Sequence, residues 1–167
     1  SDMSKRLMNI LRASSEELEV YSIDEAFALL NRPPDGDLRP WARQLRAQVY
    51  RNLGLSISIG IGETKCQAKL ANHIAKSTAW VCGVFDLSTE KDKDAWLEKV
   101  AIEDVWGIGR KISRWCRLHN INTARQFRDM PSGKILSKCG IKGLRIQREL
   151  LGYECIPFTQ KPLPKKE

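Results

Sequence analysis

The sequence predicts an α+β fold: a part with a mainly antiparallel sheet and covering helices, followed by a small all-α part. Three observations support this. Residues 55–62 alternate large apolar side chains with serine or glycine at period two, as strands do. The apolar residues of 38–49 recur at the spacing of a helix that covers a sheet. From Ile102 onwards the apolar spacing is helical throughout.

Charge divides the chain at the same place. The net charge is +8, and residues 1–100 contain 14 basic and 14 acidic side chains, whereas residues 101–167 contain 14 basic and 6 acidic ones. We therefore predict one domain over 1–100, a second over 101–155 and a linker over 156–167. A basic second domain indicates a polyanionic partner, and a surface that only keeps the chain soluble is the alternative.

Composition excludes several classes of protein. With 42% hydrophobic and 29% charged residues and no long apolar run, the chain is predicted to be soluble, with no membrane span and no signal peptide. Only two histidines and no C-x-x-C pair argue against a zinc site. Five widely spaced cysteines argue against a disulfide framework and favour the reducing cytoplasm: Cys66, Cys82, Cys116, Cys139 and Cys155.

The first elements are a helix and a hairpin. Apolar residues at helical spacing predict a helix over 3–11. Apolar runs predict two strands, 18–23 and 26–30. The turn cluster 33–36 then leads into the helix that covers the sheet, which we expect Asp37 to cap.

A strand over 55–62 and a capped helix come next. Gly60 and Gly62 leave room for the close approach of another backbone or a ligand. The Thr-x-x-Gln pattern that begins at Thr64 is a capping box, and it predicts a helix that continues to about Lys76.

A short strand over 83–87 precedes a further helix. Ser88 or Thr89 is expected to cap that helix. Glu90 and Asp92 would then lie in its first turn, where the helix dipole favours acids.

Residues 102–112 have the form of a helix-hairpin-helix. Gly107 and Gly109 permit a tight turn, after which the first N–H groups of the next helix point outward, and Arg110 and Lys111 add positive charge. Such a hairpin holds a DNA backbone without reading bases, because amides and cations contact phosphate. An ordinary helical turn with two glycines is the alternative.

Two more short helices complete the second domain. The first is expected to end at Gly140, and the second covers 144–151 and ends at Gly152. Residues 157–167 contain three prolines, three lysines and no core pattern, which is typical of a linker to a further domain.

Asp24 and Glu25 lie between the two hairpin strands, with no Gly, Asn or Pro beside them to explain a turn. Adjacent carboxylates at the ends of buried strands repel each other and lose hydration. Binding of a hard cation such as Mg²⁺, which prefers carboxylate oxygens, would explain that cost. A tight hairpin with a solvated acidic tip is the alternative.

Three lysines and an asparagine follow one side of the predicted helix that begins at Thr64. Lys65, Lys69, Asn72 and Lys76 have offsets of 4, 7 and 11 residues, which at about 100° per residue lie on one stripe. A stripe of lysines beside a glycine-rich strand end is a candidate phosphate track. The solvated face of an ordinary helix is the alternative.

Four motifs occur in a specific order along the chain: Tyr-Ser-Ile-Asp-Glu-Ala-Phe over 21–27, Gly-Ile-Gly-Glu-Thr-Lys over 60–65, Ala-Lys-Leu-Ala-Asn-His over 68–73 and Val-Trp-Gly-Ile-Gly-Arg over 105–110. This order resembles the Y-family translesion DNA polymerases. Within that family it is most similar to the bacterial SOS polymerase catalytic subunit of the UmuC type. The resemblance covers residues 1–155.

The resemblance implies template-directed DNA synthesis past lesions. It assigns residues 1–100 to part of the palm and 101–155 to the thumb. It also implies that Asp24 bridges two Mg²⁺ ions and that Glu25 holds the ion that activates the primer 3′ hydroxyl, as in two-metal phosphoryl transfer. By the same resemblance, Lys76 meets the nucleotide triphosphate.

The resemblance further implies primer–template DNA and a deoxynucleoside triphosphate as substrates. Its implied protein partners are a UmuD-type accessory subunit, a sliding clamp and a recombinase filament, and its implied location is the cytoplasm. The family's first metal-binding aspartate, its fingers and its little finger have no counterpart in this sequence. We therefore expect a palm–thumb fragment that is inactive alone and whose sheet lacks a strand.

A different class of function stays open. The chain could itself be the functional unit, as a non-catalytic DNA-binding or partner-binding protein. The genomic reading frame discriminates between the two, because a polymerase gene extends upstream through an aspartate-containing strand and the fingers.

Overall fold

The computed structural model describes residues 1–159 and divides into two compact units, Ser1–Ser58 with the segment from Pro157, and Ile59–Ile156. The described residues contain two two-stranded sheets together with helices, so the predicted α+β class is confirmed. The predicted domain boundary at residue 100 falls inside the second unit, and the palm–thumb division stays a prediction. Residues 160–167 of the predicted linker lie outside the described residues.

The first unit contains a hairpin and two helices. Its elements are α1 (Asp2–Ala13), β1 (Glu17–Val20), β2 (Ala26–Leu29) and α2 (Arg39–Leu53). The strands pair antiparallel, with Glu17 opposite Leu29 and Val20 opposite Ala26, which confirms the predicted hairpin. The two helices bury apolar side chains in this unit: Leu7, Met8, Ala42, Leu45 and Val49.

The start of α2 differs slightly from the prediction. Leu38 occupies the N-cap position and makes no side-chain capping bond. The Asp37 carboxylate still accepts the backbone N–H of Arg39 at 3.0 Å and its guanidinium at 2.9 Å. The side-chain bond from Arg39 is the main reason that the pKa of Asp37 falls to about 2.

The second unit begins with a strand–helix–strand motif. Strand β3 (Ile59–Ile61) is followed by α3 (Lys65–Ser77) and then by β4 (Val84–Asp86), which pairs with β3 in parallel. The strand predicted over 55–62 is therefore shorter, and this sheet is parallel where a mainly antiparallel sheet was predicted. Period-two alternation predicts an extended segment but not its partner, and a helical crossover brings the second strand back parallel.

The glycines of β3 serve helix packing. A Cβ atom at Gly62 would lie 2.7 Å from the backbone nitrogen of Ala68, and one at Gly60 would overlap the backbone of Ala68 and Asn72. Of the two possibilities that the sequence left open, another backbone is therefore what approaches these glycines, and it belongs to α3.

The helix α4 (Lys93–Glu98) begins later than predicted. Asp92, instead of Ser88 or Thr89, caps it by accepting a backbone N–H of the first turn at 3.0 Å. Ser88 instead donates its N–H and its hydroxyl to the buried carboxylate of Asp86. The hydroxyl of Thr89 donates to the backbone carbonyl of Asp86 at 3.3 Å. Because Ser88 and Thr89 are both engaged in this turn, the helix begins only at Asp92.

The rest of the second unit is helical. It consists of a three-residue 3₁₀ helix (Ile102–Asp104), α5 (Arg110–Leu118), α6 (Ala124–Arg128) and α7 (Ser132–Leu151). Thr123 caps α6 by accepting the N–H of Gln126 at 3.2 Å. A non-helical Gly140 with φ +72° interrupts α7, and Gly152 with φ +105° ends it, at the two glycines where helix ends were predicted.

One hydrophobic core holds the second unit together. It joins side chains on both sides of residue 100, among them Leu70, Phe85, Ile102, Phe127, Ile135 and Ile146. Full burial of such a side chain contributes about 1.5–3 kcal/mol. Among the described residues no helix is both long and apolar enough to span a bilayer.

Candidate catalytic and nucleic-acid sites

The acidic pair occupies the tip of the β1–β2 hairpin. The N–H groups of Tyr21 and Ser22 both donate to the carbonyl of Glu25, at 2.9 and 3.1 Å, which closes the tip tightly. The hydroxyl of Ser22 donates to the carboxylate of Asp24 at 2.7 Å. Asp24 is exposed and Glu25 is half-buried. Asp24 and Glu25 therefore lie next to each other in a turn that backbone bonds define, and their role as metal ligands stays a prediction.

Two adjacent carboxylates suit a hard cation. Their oxygens are the ligands that Mg²⁺ prefers, so the donor chemistry of Asp24 and Glu25 fits this ion. Over residues 1–159, however, no group of three or more His, Cys, Asp or Glu side chains could hold a metal. The pair thus offers part of a coordination shell.

The predicted lysine stripe on α3 is uneven in its exposure. Lys65 is only 6% exposed, Lys69 is half-buried and Lys76 is exposed at the end of the helix. Burial of Lys65 follows from its place in the first turn, where the neighbouring side chains of the helix pack inward. Lys69 and Lys76 are therefore better placed to meet an external phosphate, and a role for Lys65 stays a prediction.

The capping box at the start of α3 is present. Thr64 accepts the N–H of Gln67 at 3.2 Å, and the Gln67 side-chain oxygen accepts the N–H of Glu63 at 3.1 Å. The reciprocal bond therefore reaches one residue further back than in the standard box.

A tight glycine turn precedes α5, as the sequence predicted, and its assignment to a helix-hairpin-helix stays a prediction. Gly107 has φ +89°, and a Cβ there would lie 2.9 Å from the Cδ1 atom of Ile146 in α7. Around Gly109, by contrast, there is open space. Arg110 and Lys111 are exposed in the first turn of α5, which contains no acidic residue. The turn thus packs against Ile146 of α7 and carries the positive charges of Arg110 and Lys111 on its exposed side.

The segment before this turn is a 3₁₀ helix, so the first helix of the predicted helix-hairpin-helix is short. An ion pair fixes it to α5. Glu103 accepts two bonds from the Arg117 guanidinium, at 2.6 and 2.7 Å. The side-chain bond from Arg117 is the main reason that the pKa of Glu103 falls to about 2.

Lys142 is a basic residue that the sequence analysis missed. Its Cε atom lies 3.9 Å from the position of a Cβ on Gly107, so its side chain lies beside the glycine turn. Lys142 is exposed and follows the interruption of α7 at Gly140. The available signal was the Gly-Ile pair at 140–141 directly before Lys142, which repeats the Gly-Ile pair at 107–108.

Comparison with known proteins finds a family model and several relatives that are similar to this chain. Residues 1–73 match the model of the impB/mucB/samB family. The chain is 36% identical over 171 residues to protein UmuC of Salmonella typhimurium strain LT2, which covers 100% of this chain and 40% of that protein. It is 31% identical over 138 residues to DNA polymerase IV 2 of Mycobacterium tuberculosis strain H37Rv, which covers 82% of this chain and 38% of that protein.

A solved structure shares the fold. The chain superposes on a DinB family error-prone DNA polymerase from Sulfolobus solfataricus with a TM-score of 0.71 at 20% identity, covering 94% of this chain and 47% of that chain. The chain thus spans about two fifths of the length of the curated relatives it matches. Residues 1–73 thus match the impB/mucB/samB family model, the whole chain is similar to UmuC, and the chain shares the fold of the solved DinB family polymerase. These similarities agree with the resemblance that the order of the four motifs predicted.

Proposed function

We propose that this chain is the palm and thumb part of a translesion DNA polymerase that performs template-directed nucleotidyl transfer. The observation that carries the proposal is the acidic hairpin tip, with Asp24 and Glu25 side by side, in a chain homologous to UmuC over its full length. The name of a second relative, DNA polymerase IV 2, supports the same activity.

Asp24 and Glu25 are proposed as metal ligands. Bound Mg²⁺ supplies the positive charge that stabilises the attacking and leaving oxygens in phosphoryl transfer. The chain contributes the two carboxylates and the Ser22 hydroxyl, which holds one oxygen of Asp24 in place. Lys76, exposed at the end of α3, is proposed to place a positive charge at the triphosphate.

The glycine turn is proposed to hold the DNA backbone. Gly107 and Gly109 shape the turn, while Arg110 and Lys111 supply charge to phosphate. Lys69 and Lys65 are proposed as additional DNA contacts on α3, of which Lys69 is the more exposed. All these groups contact phosphate, so binding is expected to be independent of base sequence.

The protein partners follow from the same homology. A UmuD-type accessory subunit, a sliding clamp and a recombinase filament are proposed partners of the longer protein. The proposed place of action is the bacterial cytoplasm, where the DNA is.

Primer extension tests the activity. The longer protein that contains this sequence is expected to extend a primer with deoxynucleoside triphosphates, with its accessory proteins where needed, and to lose extension on Asp24→Ala. The 167-residue chain alone is expected to give no product above background, because positioning and charge stabilisation supply nearly all of the catalysis. Extension by the chain alone that Asp24→Ala abolishes would show that it completes the metal site itself.

A second function is a non-catalytic DNA-binding protein. The finding that favours it is that the described residues contain no cluster of three metal-binding side chains. A longer protein that binds DNA but never extends a primer, even with its partners, would support this alternative.

A further inference from the structure

A buried carboxylate in α7 has no part in the functions proposed above. Glu149 has 0% exposure. One of its oxygens accepts the N–H of Cys66 at 3.0 Å, and the other accepts the N–H groups of Cys155 and Ile156 at 2.8 and 2.9 Å. A buried charge costs several kcal/mol unless its hydrogen bonds are satisfied, and here both oxygens are.

The same place joins two helices. Thr64 donates its hydroxyl to the backbone carbonyl of Glu149 at 2.8 Å, and the Gln67 side chain donates to the carbonyl of Leu150 at 3.1 Å. Together with the bond to Cys66, these contacts attach the first turn of α3 to the last turn of α7. The positive end of the α3 dipole also favours a carboxylate at this point.

The two helices carry different parts of the proposed site. Lys76, proposed for the triphosphate, lies in the last turn of helix α3. Helix α7 braces the glycine turn, because Ile146 lies directly under Gly107. Ile146 precedes Glu149 by about one turn of the same helix. The contacts of Glu149 therefore connect the helix that carries Lys76 with the helix that supports the glycine turn.

We propose that Glu149 is a positioning residue that holds α3 and α7 as one body and fixes the start of the segment that leaves α7. This inference rests on the proposed polymerase function. By holding the two helices together, Glu149 keeps Lys76 at a constant position relative to the turn that holds DNA. Glu149 acts through these helices and touches neither substrate.

Only a carboxylate can accept all the hydrogen bonds that reach the Glu149 side chain. Three N–H groups reach Glu149 from two directions, so both of its oxygens must accept. A glutamine of the same size has one acceptor oxygen and an NH₂ group that can only donate. Glu149→Gln therefore leaves either Cys66 or the Cys155–Ile156 pair without its acceptor, at almost unchanged volume.

Amide hydrogen exchange on the chain tests the clamp without any activity. In Glu149→Gln, exchange is expected to accelerate about tenfold either at Cys66 or at Cys155 and Ile156, whichever loses its acceptor, as loss of a charge-assisted hydrogen bond predicts. Glu154→Gln, an exposed neighbour, is the matched control and should leave these amides unchanged. Unchanged exchange in Glu149→Gln would overturn the clamp.

Steady-state kinetics on the longer protein test the positioning role. Below the melting temperature, Glu149→Gln is expected to lower kcat/KM for the nucleotide about tenfold, while the Kd for DNA stays within about twofold because the turn keeps its brace on α7. Unchanged kinetics together with accelerated exchange would make Glu149 structural only and overturn the positioning role. An inactive wild-type protein would instead refute the proposed function, and the exchange experiment would still decide on the clamp.

Glu149→Asp covers the case in which Glu149→Gln does not fold. It keeps both acceptor oxygens but withdraws them by one methylene group. Faster exchange than in the wild type and a lower kcat/KM are expected, and values equal to wild type in both measurements would overturn the proposal.

Discussion

Backbone bonds and two serine hydroxyls hold the acidic tip of the β1–β2 hairpin. Two N–H groups close the turn on the carbonyl of Glu25, and Ser22 holds the Asp24 carboxylate. The hydroxyl of Ser4 in α1 also donates to the carbonyl of Ile23, so the tip is anchored to α1. Because the backbone bonds of the turn use no carboxylate, Asp24→Ala is expected to keep the hairpin.

Mg²⁺ titration tests the tip directly. The chain is expected to bind Mg²⁺ only weakly, since two carboxylates supply too few ligands for a tight site. Asp24→Ala should abolish the binding and leave the fold intact, as followed by NMR or calorimetry. Asp2→Ala, which removes an exposed acid of α1, is the control and should leave the binding unchanged. A tight site that survives Asp24→Ala would place the metal elsewhere.

The glycines of β3 determine stability at single positions. Gly60→Ala is expected to lower the free energy of unfolding by about 3 kcal/mol, the upper end for an overpacked site, because the new methyl group meets the α3 backbone and cannot push it aside. Gly133→Ala is the matched control, since a Cβ there meets nothing within 4 Å. Denaturant unfolding measures both, and equal stabilities would contradict the close packing of β3 on α3.

At the level of elements, the glycine turn, α5 and α7 act as one basic surface. Ile146 supports the turn from below, and Lys142 of α7 lies beside it. The Glu103–Arg117 pair ties the preceding 3₁₀ helix to the end of α5. The basic surface therefore includes residues of the glycine turn, α5 and α7, whereas the sequence motif placed it within residues 102–112 alone.

Salt dependence of DNA binding measures this surface. The chain is expected to bind duplex DNA weakly, with log K falling against log salt at a slope of about −3. Arg110→Ala with Lys111→Ala should flatten the slope by about 2, and Lys142→Ala alone by about 1, because each lost phosphate contact removes about 0.9.

Lys91→Ala provides the control for that series, since Lys91 is exposed and lies outside the three elements. An unchanged slope in the Arg110/Lys111 double variant would refute the hairpin assignment. If the double variant flattens the slope but Lys142→Ala does not, then Lys142 does not contact phosphate, and the assignment of Arg110 and Lys111 stands.

At the level of the whole molecule, several carboxylates are paired with arginines. Bonds from Arg117, Arg39 and Arg128 lower the pKa values of Glu103, Asp37 and Asp94, and the first two fall to about 2. A carboxylate with a lowered pKa stabilises the folded state above its unfolded pKa, near 4. That contribution is lost as the pH falls through the folded pKa.

Unfolding at low pH tests how much these carboxylate–arginine pairs stabilise the folded state. Stability is expected to fall between about pH 4 and about pH 2, and Glu103→Gln should make this part of the curve shallower. Unfolding by denaturant at a series of pH values measures the slope, with Glu154→Gln as the control. A curve of equal steepness for Glu103→Gln would show that the Arg117 pair does not contribute.

The sequence by itself determined the local elements. Period-two and helical spacing, the Thr64 cap and the glycines at 107, 140 and 152 each act within a few residues, so the hairpin, α3, the turn before α5 and the helix ends were predictable. The acidic pair was predictable for the same reason, because Asp24 and Glu25 are neighbours in the chain.

The tertiary structure alone decided which distant residues meet. It paired β3 with β4 in parallel, buried Lys65, moved the α4 cap to Asp92 and brought Lys142 to the glycine turn. It also placed the Glu149 carboxylate on the N–H groups of three residues from two segments. Burial and pairing depend on residues far apart in sequence, whose proximity no local spacing encodes, and for that reason these features appear only in the folded chain.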